Sequence, residues 1–241
     1  MSNVNHEIFV NFFHEIQNLI NTLSASSNSL SKCNPESEKI DKAGIIHHAN
    51  LICEVVENMK LHVTLVNIDT NPSFFSLQKP KVMNVYDVFV RTIHIFKPRA
   101  KKNKVKFKIE ADQIPSIEIL PILNIVPSIV FDNCIKYCPS DSIVYVDIEL
   151  IDKDISVTIQ SMGPMVKDED VIKLTQKGYR GENAQEVTSE GSGVGLYYLK
   201  IICDLCNINL SISSNQNSYI IDNMGYSNFK VNMIIPGIIN N

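Results

Sequence analysis

Several features are missing from this 241-residue chain. It carries no charge excess of consequence: 22 basic against 26 acidic residues leave a net charge of −4, too little to draw it to nucleic acid or to an anionic membrane. No apolar run approaches the roughly 20 residues that a membrane-spanning helix needs, and no basic-then-apolar leader opens the chain. Six cysteines occur, but not at the spacings of a disulfide scaffold, so reduced thiols in a cytoplasm are expected. Cys203 and Cys206 form a single C-x-x-C without a second pair, which argues against zinc. Cys134 and Cys138 read as small buried apolar residues. Glycine is scarce too. Of nine glycines, three are Gly191, Gly193 and Gly195. One stretch departs from the balanced charge: Lys97, Arg99, Lys101, Lys102, Lys104, Lys106 and Lys108 crowd together. They read as a solvated turn and strand face, with an acidic partner as the alternative.

What remains is ordinary for a folded chain, 44% apolar and 20% charged. From about Asn5 to Leu30, Phe12, Ile16, Leu19, Ile20 and Leu23 recur at three- and four-residue steps, which predicts an amphipathic helix. The polar stretch Ser24–Pro35 ends it. From Glu36 onward Ile45, Ala49, Ile52, Val56, Met59, Val63 and Val66 mark a second helix, stopped by Asn71-Pro72. Residues 1–72 thus form a helical hairpin. Two helices alone bury too little apolar surface, so a second copy completing a four-helix bundle is expected, hence a homodimer. Over 78–241 the texture changes. Met83–Phe96 predicts a helix, Lys104–Glu110 a strand and Leu123–Tyr137 a buried helix. Ile143–Leu150 and Ile155–Gln160 predict strands around a turn, followed by a helix over Val194–Cys206 and strands over Asn209–Ser214 and Phe229–Ile235. The class is α+β, with helices over one face of a sheet in an α/β sandwich.

The sharpest local signal is Gly191-Ser192-Gly193-Val194-Gly195-Leu196, running into an apolar helix. Glycines admit a phosphate close to the backbone, and a helix start offers free N–H groups. The segment lacks the G-K-[ST] ending of a P-loop. It follows the polar, loop-like Ala184–Glu190 and not a strand, so it is no Rossmann fingerprint either. Phe131–Pro139 places Asn133 and Lys136 on a helix that otherwise reads as buried. An amide oxygen is a hard ligand suited to Mg²⁺, and a lysine beside it suits phosphate. Gln160–Pro164 reads as a strand closed by a glycine turn.

In this order the blocks resemble the GHKL ATPase superfamily, its histidine-kinase branch above all, over Pro80–Ile235. Phe131–Pro139 resembles the N-box, Ser161–Val166 the first glycine box, Gly191–Leu196 the second, and Tyr179–Ala184 the stretch before the ATP lid. The resemblance implies the ATPase fold of that family. It also implies binding of ATP and Mg²⁺ through Asn133, Lys136, Tyr137, Ser161, Gly163, Arg180, Gly181, Gly191, Gly193, Gly195 and Leu196, with Asn133 on the metal. Phe12–Asn18 resembles the H-box of phosphotransfer hairpins in its H-E-x-x-N form. His14 would be the phosphate acceptor and Glu15 would take its proton. Asn18, one turn on, would position a water for dephosphorylation of a partner. His47, His48 and His62 lack that context and read as structural. The implied protein is a cytoplasmic, homodimeric histidine kinase that phosphorylates His14 and then an aspartate of a response-regulator receiver protein. The hairpin opens close to Met1, so no sensor segment is expected before it, and a signal would arrive through a partner, the hairpin or the nucleotide level.

Three positions depart from the family pattern. Ser161 stands where an aspartate usually meets the adenine amino group, Met165 replaces a glycine, and Ile129 lies one turn before Asn133 where a polar residue is usual. They keep two rival readings open: a non-catalytic pseudokinase scaffold, and a GHKL ATPase that drives a conformational change without phosphorylating histidine.

Overall fold

The computed structural model describes residues 2–31, 42–71, 73–189, 191–215 and 219–237. They divide into two compact units, Met1–Asn71 and Pro72–Asn241.

The first unit is a pair of long helices, α1 (Ser2–Ser31) and α2 (Lys42–Thr70), packed on each other. The polar stretch expected to end the first helix at Ser24 does not: α1 continues to Ser31, because Ser29 and Ser31 bond their hydroxyls back to the carbonyls of Ala25 and Asn28 within the helix. The expected start of the second helix at Glu36 lies outside the described residues. Val55, Leu61 and Ile68 of α2 are buried, whereas Ile20, Ile46, Val56 and Val63 stay exposed. Among the described residues no helix is long and apolar enough to cross a membrane.

The second unit opens with the short helix α3 (Ser73–Ser76) and the strand β1 (Lys81–Asn84), which pairs antiparallel with β3 (Ser116–Ile119). Between them lie helix α4 (Val85–Lys102) and strand β2 (Lys106–Ala111). The helix expected over Met83–Phe96 is therefore displaced. Met83 is held in β1 opposite Ile117, and Asn84 caps α4 by accepting the Asp87 N–H at 3.1 Å. The helix then continues through Pro98, because its apolar stripe of Val85, Val88, Phe89, Phe96 and Ala100 stays buried on both sides of the proline. The basic cluster is accordingly more helical than expected. Lys101 and Lys102 sit in the last turn of α4, where the helix dipole favours cations.

A five-residue 3-10 turn, Pro121–Ile125, leads into the buried helix α5 (Val126–Tyr137). Strands β4 (Ile143–Ile151) and β5 (Asp154–Pro164) follow, then the short helices α6 (Asp168–Val171) and α7 (Glu182–Val187). Helix α8 (Gly195–Leu205) and strands β6 (Asn209–Ser214), β7 (Tyr219–Ile221) and β8 (Met224–Ile235) complete the unit. The main sheet has the order β2-β4-β5-β8-β6, with β7 on β8. Its pairings are antiparallel except β2 with β4. One face buries Val144, Val146, Ile148, Ile155, Val157, Ile159, Val231, Met233 and Ile235. The other carries the polar rung Lys108–Tyr145–Gln160–Lys230. This is the alternation of a half-buried sheet. Phe131 of α5 stacks between Phe89 of α4 and Phe107 of β2, at centroid distances of 5.9 and 4.7 Å.

Two further local expectations fail. Gly163 makes no turn: β5 runs straight through it, pairing Gly163 with Ser227 and Pro164 with Tyr226. The polar stretch before the glycines is not all loop, because Glu182–Val187 closes one and a half turns of helix.

Candidate nucleotide site

Helix α5 turns its apolar residues into the core and presents Asn133, Lys136 and Tyr137, each half-exposed, at its edge. Opposite stands the start of α8. A Cβ added to Gly195 would lie 3.4 Å from Asn133 Nδ2, 3.6 Å from its Oδ1 and 3.7 Å from Ile129 Cγ2. These are ordinary contact distances, so the start of α8 lies directly against Asn133 and Ile129. Ile129, at a position where a polar residue is usual, packs its methyl group beside Gly195. No side chain caps α8 at Val194, which leaves first-turn N–H groups and the positive dipole end available to an anion. Leu196, next in the helix, is half-buried.

Gly191 and Gly193 adopt φ of +117° and +68°, in the region that favours glycine. At Gly191 the space for a side chain is bounded by Tyr137 Oη at 3.4 Å and by Arg180 Cζ and Nε at 4.0 Å. At Gly193 there is no space: an added Cβ would sit 2.7 Å from the Tyr179 carbonyl oxygen and 2.8 Å from Gly178 C. The same residue's carbonyl accepts the Gly178 N–H at 3.1 Å.

Arg180 organises the segment in front of the glycines. Its guanidinium donates to the carbonyls of Thr188 (2.5 Å), Ala184 (3.2 Å) and Ser189 (3.4 Å). Its Nε is buried and has no hydrogen-bond partner among the described residues. An orphaned cationic N–H, a phenolic hydroxyl, a free helix start and glycines with open backbone converge here. That donor set fits a polyphosphate. Lys136 is near but engaged, its Nζ 2.8 Å from Asp132 Oδ2. Burial would push the Asp132 carboxyl up, but the charges of Lys136 and Arg99 outweigh it and hold it below the usual range.

Ser161 lies buried on β5, and its hydroxyl is in hydrogen-bond contact with the thiols of Cys134 and Cys138. Burial pushes both thiols up, Cys138 to about 11. A neutral hydroxyl between two protonated thiols replaces a carboxylate. Because only the thiolate reacts, alkylation of the half-exposed Cys138 is expected to be slow at pH 7.5 and to quicken about tenfold per pH unit up to pH 10. Peptide mass spectrometry after iodoacetamide treatment checks this, and a rate already saturated at pH 8 contradicts it.

The remaining expected site residues lie apart from the cluster or outside it. Gly163 is an interior strand residue against Phe229, and Gly181 caps α7 with open space around it. His14 and Glu15 fall on α1, but their side chains lie outside the described residues. Asn18 is exposed on the same helix, one turn ahead of Thr22, whose hydroxyl donates to the Asn18 carbonyl at 2.9 Å. Sequence reasoning placed Arg99 only in the basic stretch, not at the site, and did not single out Asp132. The i,i+4 spacing of Asp132 and Lys136 was a readable signal for one of the pairs, whereas Arg99 lies on another helix.

Comparison with known proteins agrees with this geometry. Residues 122–228 match the family model of the histidine kinase-, DNA gyrase B- and HSP90-like ATPases. The chain is 23% identical over 195 residues to the sensor histidine kinase CusS of Escherichia coli O6:H1, which covers 78% of this chain and 38% of CusS. It thus spans about two-fifths of that relative's length. Among solved structures, the histidine kinase AdeS of Acinetobacter baumannii superposes with a TM-score of 0.52 at 16% identity, covering 95% of this chain and 98% of AdeS. The histidine kinase ThkA, solved in complex with the response regulator TrrA, gives 0.53 at 16% identity, covering 96% of this chain and 61% of that one. Residues 122–228 thus form an ATPase domain of the histidine kinase-, DNA gyrase B- and HSP90-like kind, and the chain is similar to sensor histidine kinases over most of its length.

Proposed function

We propose that this chain is a protein histidine kinase that transfers the γ-phosphoryl group of ATP to His14 and then to an aspartate of a response-regulator receiver protein. The observation that carries the reading is the convergence of Asn133, Tyr137, Arg180, Gly191 and Gly195 around one helix start, in a domain of the ATPase family. Asn133 would hold Mg²⁺ together with phosphate oxygens. Among the described residues no group of three or more His, Cys, Asp or Glu could hold a metal, which suits a cation carried mainly by its nucleotide. When bound, the cation neutralises phosphate charge.

The chain's own residues bind and orient. The glycine backbone and the α8 N–H groups hold the phosphates, Arg180 and Lys136 balance their charge, and Tyr137 donates from its hydroxyl. On α1, His14 attacks the γ-phosphorus through an imidazole nitrogen as the bond from that phosphorus to the ADP oxygen breaks and ADP leaves, while Glu15 takes the ring proton. Asn18 positions a water for the reverse hydrolysis on the partner. The exposed Ile20, Ile46, Val56 and Val63 of the hairpin support a homodimer, because a second copy is the simplest cover for them. The ThkA–TrrA complex supports a receiver protein as partner, and the cytoplasm, where ATP is abundant and thiols stay reduced, suits the six cysteines.

Incubation with γ-labelled ATP and Mg²⁺ tests the reading. The expected product is a protein label that survives alkali, is lost in acid, and disappears in His14→Gln while nucleotide binding persists. Label that persists in His14→Gln refutes the assignment. The buried Ser161, already bonded to two thiols, favours one second reading, a scaffold without catalysis. No label and no nucleotide-induced rise in melting temperature would select it.

A further inference from the structure

One cationic side chain reaches the site from outside every sequence block that carries the resemblance. Arg99 belongs to α4, which precedes the family match beginning at residue 122. Its Nη1 lies 2.7 Å from Asp132 Oδ1, while Lys136 Nζ lies 2.8 Å from Asp132 Oδ2. The three side chains are 24%, 23% and 28% exposed, so water screens them only in part.

The division of one carboxylate between two cations decides the local charge. A lone Lys136–Asp132 pair is neutral, and its ammonium spends its field on the carboxylate beside it. With Arg99 on the other oxygen, the cluster carries a net charge of +1. Asp132 is then satisfied without Lys136 alone, so the ammonium can give a donor to an anion at no loss to the carboxylate. Asn133 and Tyr137, which border Gly195 and Gly191, flank Asp132 and Lys136 on the same helix, so this charge lies at the edge of the polyphosphate site.

We infer that Arg99 is a positioning residue of that site: through Asp132 it fixes the Lys136 ammonium and leaves it the spare positive charge that makes affinity depend on the number of phosphates. The inference rests on the nucleotide reading above. It assigns no contact between Arg99 and the nucleotide. A merely structural tie between α4 and α5 would act on ATP and AMP alike.

The experiment compares dissociation constants of ATP and AMP for the full chain, for Arg99→Gln and for Arg99→Lys, by calorimetry at 50 and 300 mM salt. Arg99→Gln is expected to weaken ATP about tenfold at low salt and AMP by less than about twofold, with the difference shrinking at high salt. Arg99→Lys is expected to restore most of the ATP affinity. Equal losses for ATP and AMP, or no loss for ATP, overturn the inference and leave the nucleotide reading standing. A wild-type chain that binds neither nucleotide overturns both. Asp132→Asn gives a second readout should Arg99→Gln fail to fold. It removes the carboxylate through which Arg99 acts, so adding Arg99→Gln to it is expected to change ATP affinity by less than about twofold, and a further loss of about tenfold counts against the inference.

Discussion

Alanine at Gly193 is expected to abolish nucleotide-induced stabilisation and to lower the melting temperature of the second unit by on the order of 10 °C. Two effects add. The left-handed φ of +68° costs an alanine about 1–2 kcal/mol. The new Cβ would stand 2.7 Å from the Tyr179 carbonyl oxygen and 2.8 Å from Gly178 C. These are backbone atoms and cannot swing aside as a flexible side chain would. Relief requires parting Gly193 from Gly178, which gives up the 3.1 Å hydrogen bond between the Gly178 N–H and the Gly193 carbonyl, worth about 1 kcal/mol. A total of about 2–4 kcal/mol in a unit of this size shifts melting by several to about 15 °C. The glycine segment would also move off the start of α8, and with it the N–H groups offered to phosphate. Gly181→Ala is the control, since its Cβ meets nothing within 4 Å and its φ of −60° suits any residue. Melts with and without ATP decide the matter. A Gly193→Ala chain that still gains the wild-type increment from ATP would mean that the segment does not hold phosphates.

The second large effect belongs to Phe131. Its side chain is fully buried and stacks on Phe89 and Phe107. Truncation to alanine removes both ring contacts and opens a cavity that neighbouring elements can close only in part. The cost expected is about 3–5 kcal/mol, a large share of the 5–15 kcal/mol that a domain typically has. Urea melts should show a midpoint lowered by roughly a third to a half, with Phe131→Leu losing about 1.5 kcal/mol. Function should fall along with stability, because the same helix holds Asn133, Lys136 and Tyr137. A loss under 1 kcal/mol for Phe131→Ala would mean that α5 is anchored chiefly by its contacts with α8, against the packing described here.

Much of this architecture could be read from periodicity. The helices α1, α2 and α8 and the strands β4, β5 and β6 carry a long regular apolar pattern, and they lie where that pattern places them to within a few residues. Four-residue strands carry no such signal. Lys81–Asn84 and Ser116–Ile119 stabilise each other only across the fold, so β1 looked like the start of α4. The first half of β8, Met224–Asn228, has little alternation and is extended because Ser161–Pro164 of β5 lies opposite it. That pairing also explains why Gly163 is not a turn. At the site, Gly191 and Gly193 were legible because positive φ leaves few residues besides glycine. The thiol partners of Ser161 were not, since Cys134 and Cys138 look like any small apolar pair until a strand is laid beside their helix. The contact of Arg99 with Asp132 crosses two helices and leaves no trace in spacing.

The place of β8 sets a timetable for synthesis. It lies between β5 and β6 in the sheet, yet among the described residues it follows both of them in the chain. Ile155 leaves the ribosome early and must wait for Ile235 before its pairing exists, an interval of several seconds at about 5–20 residues per second. The Ser161–Pro164 strand end, the Arg180-centred segment and the glycines are all made during that wait, with no central strand to pin them. The nascent chain therefore carries exposed apolar strand edges until β8 arrives. It is then that chaperone engagement, and sensitivity to slowed translation downstream of Gly195, should be greatest.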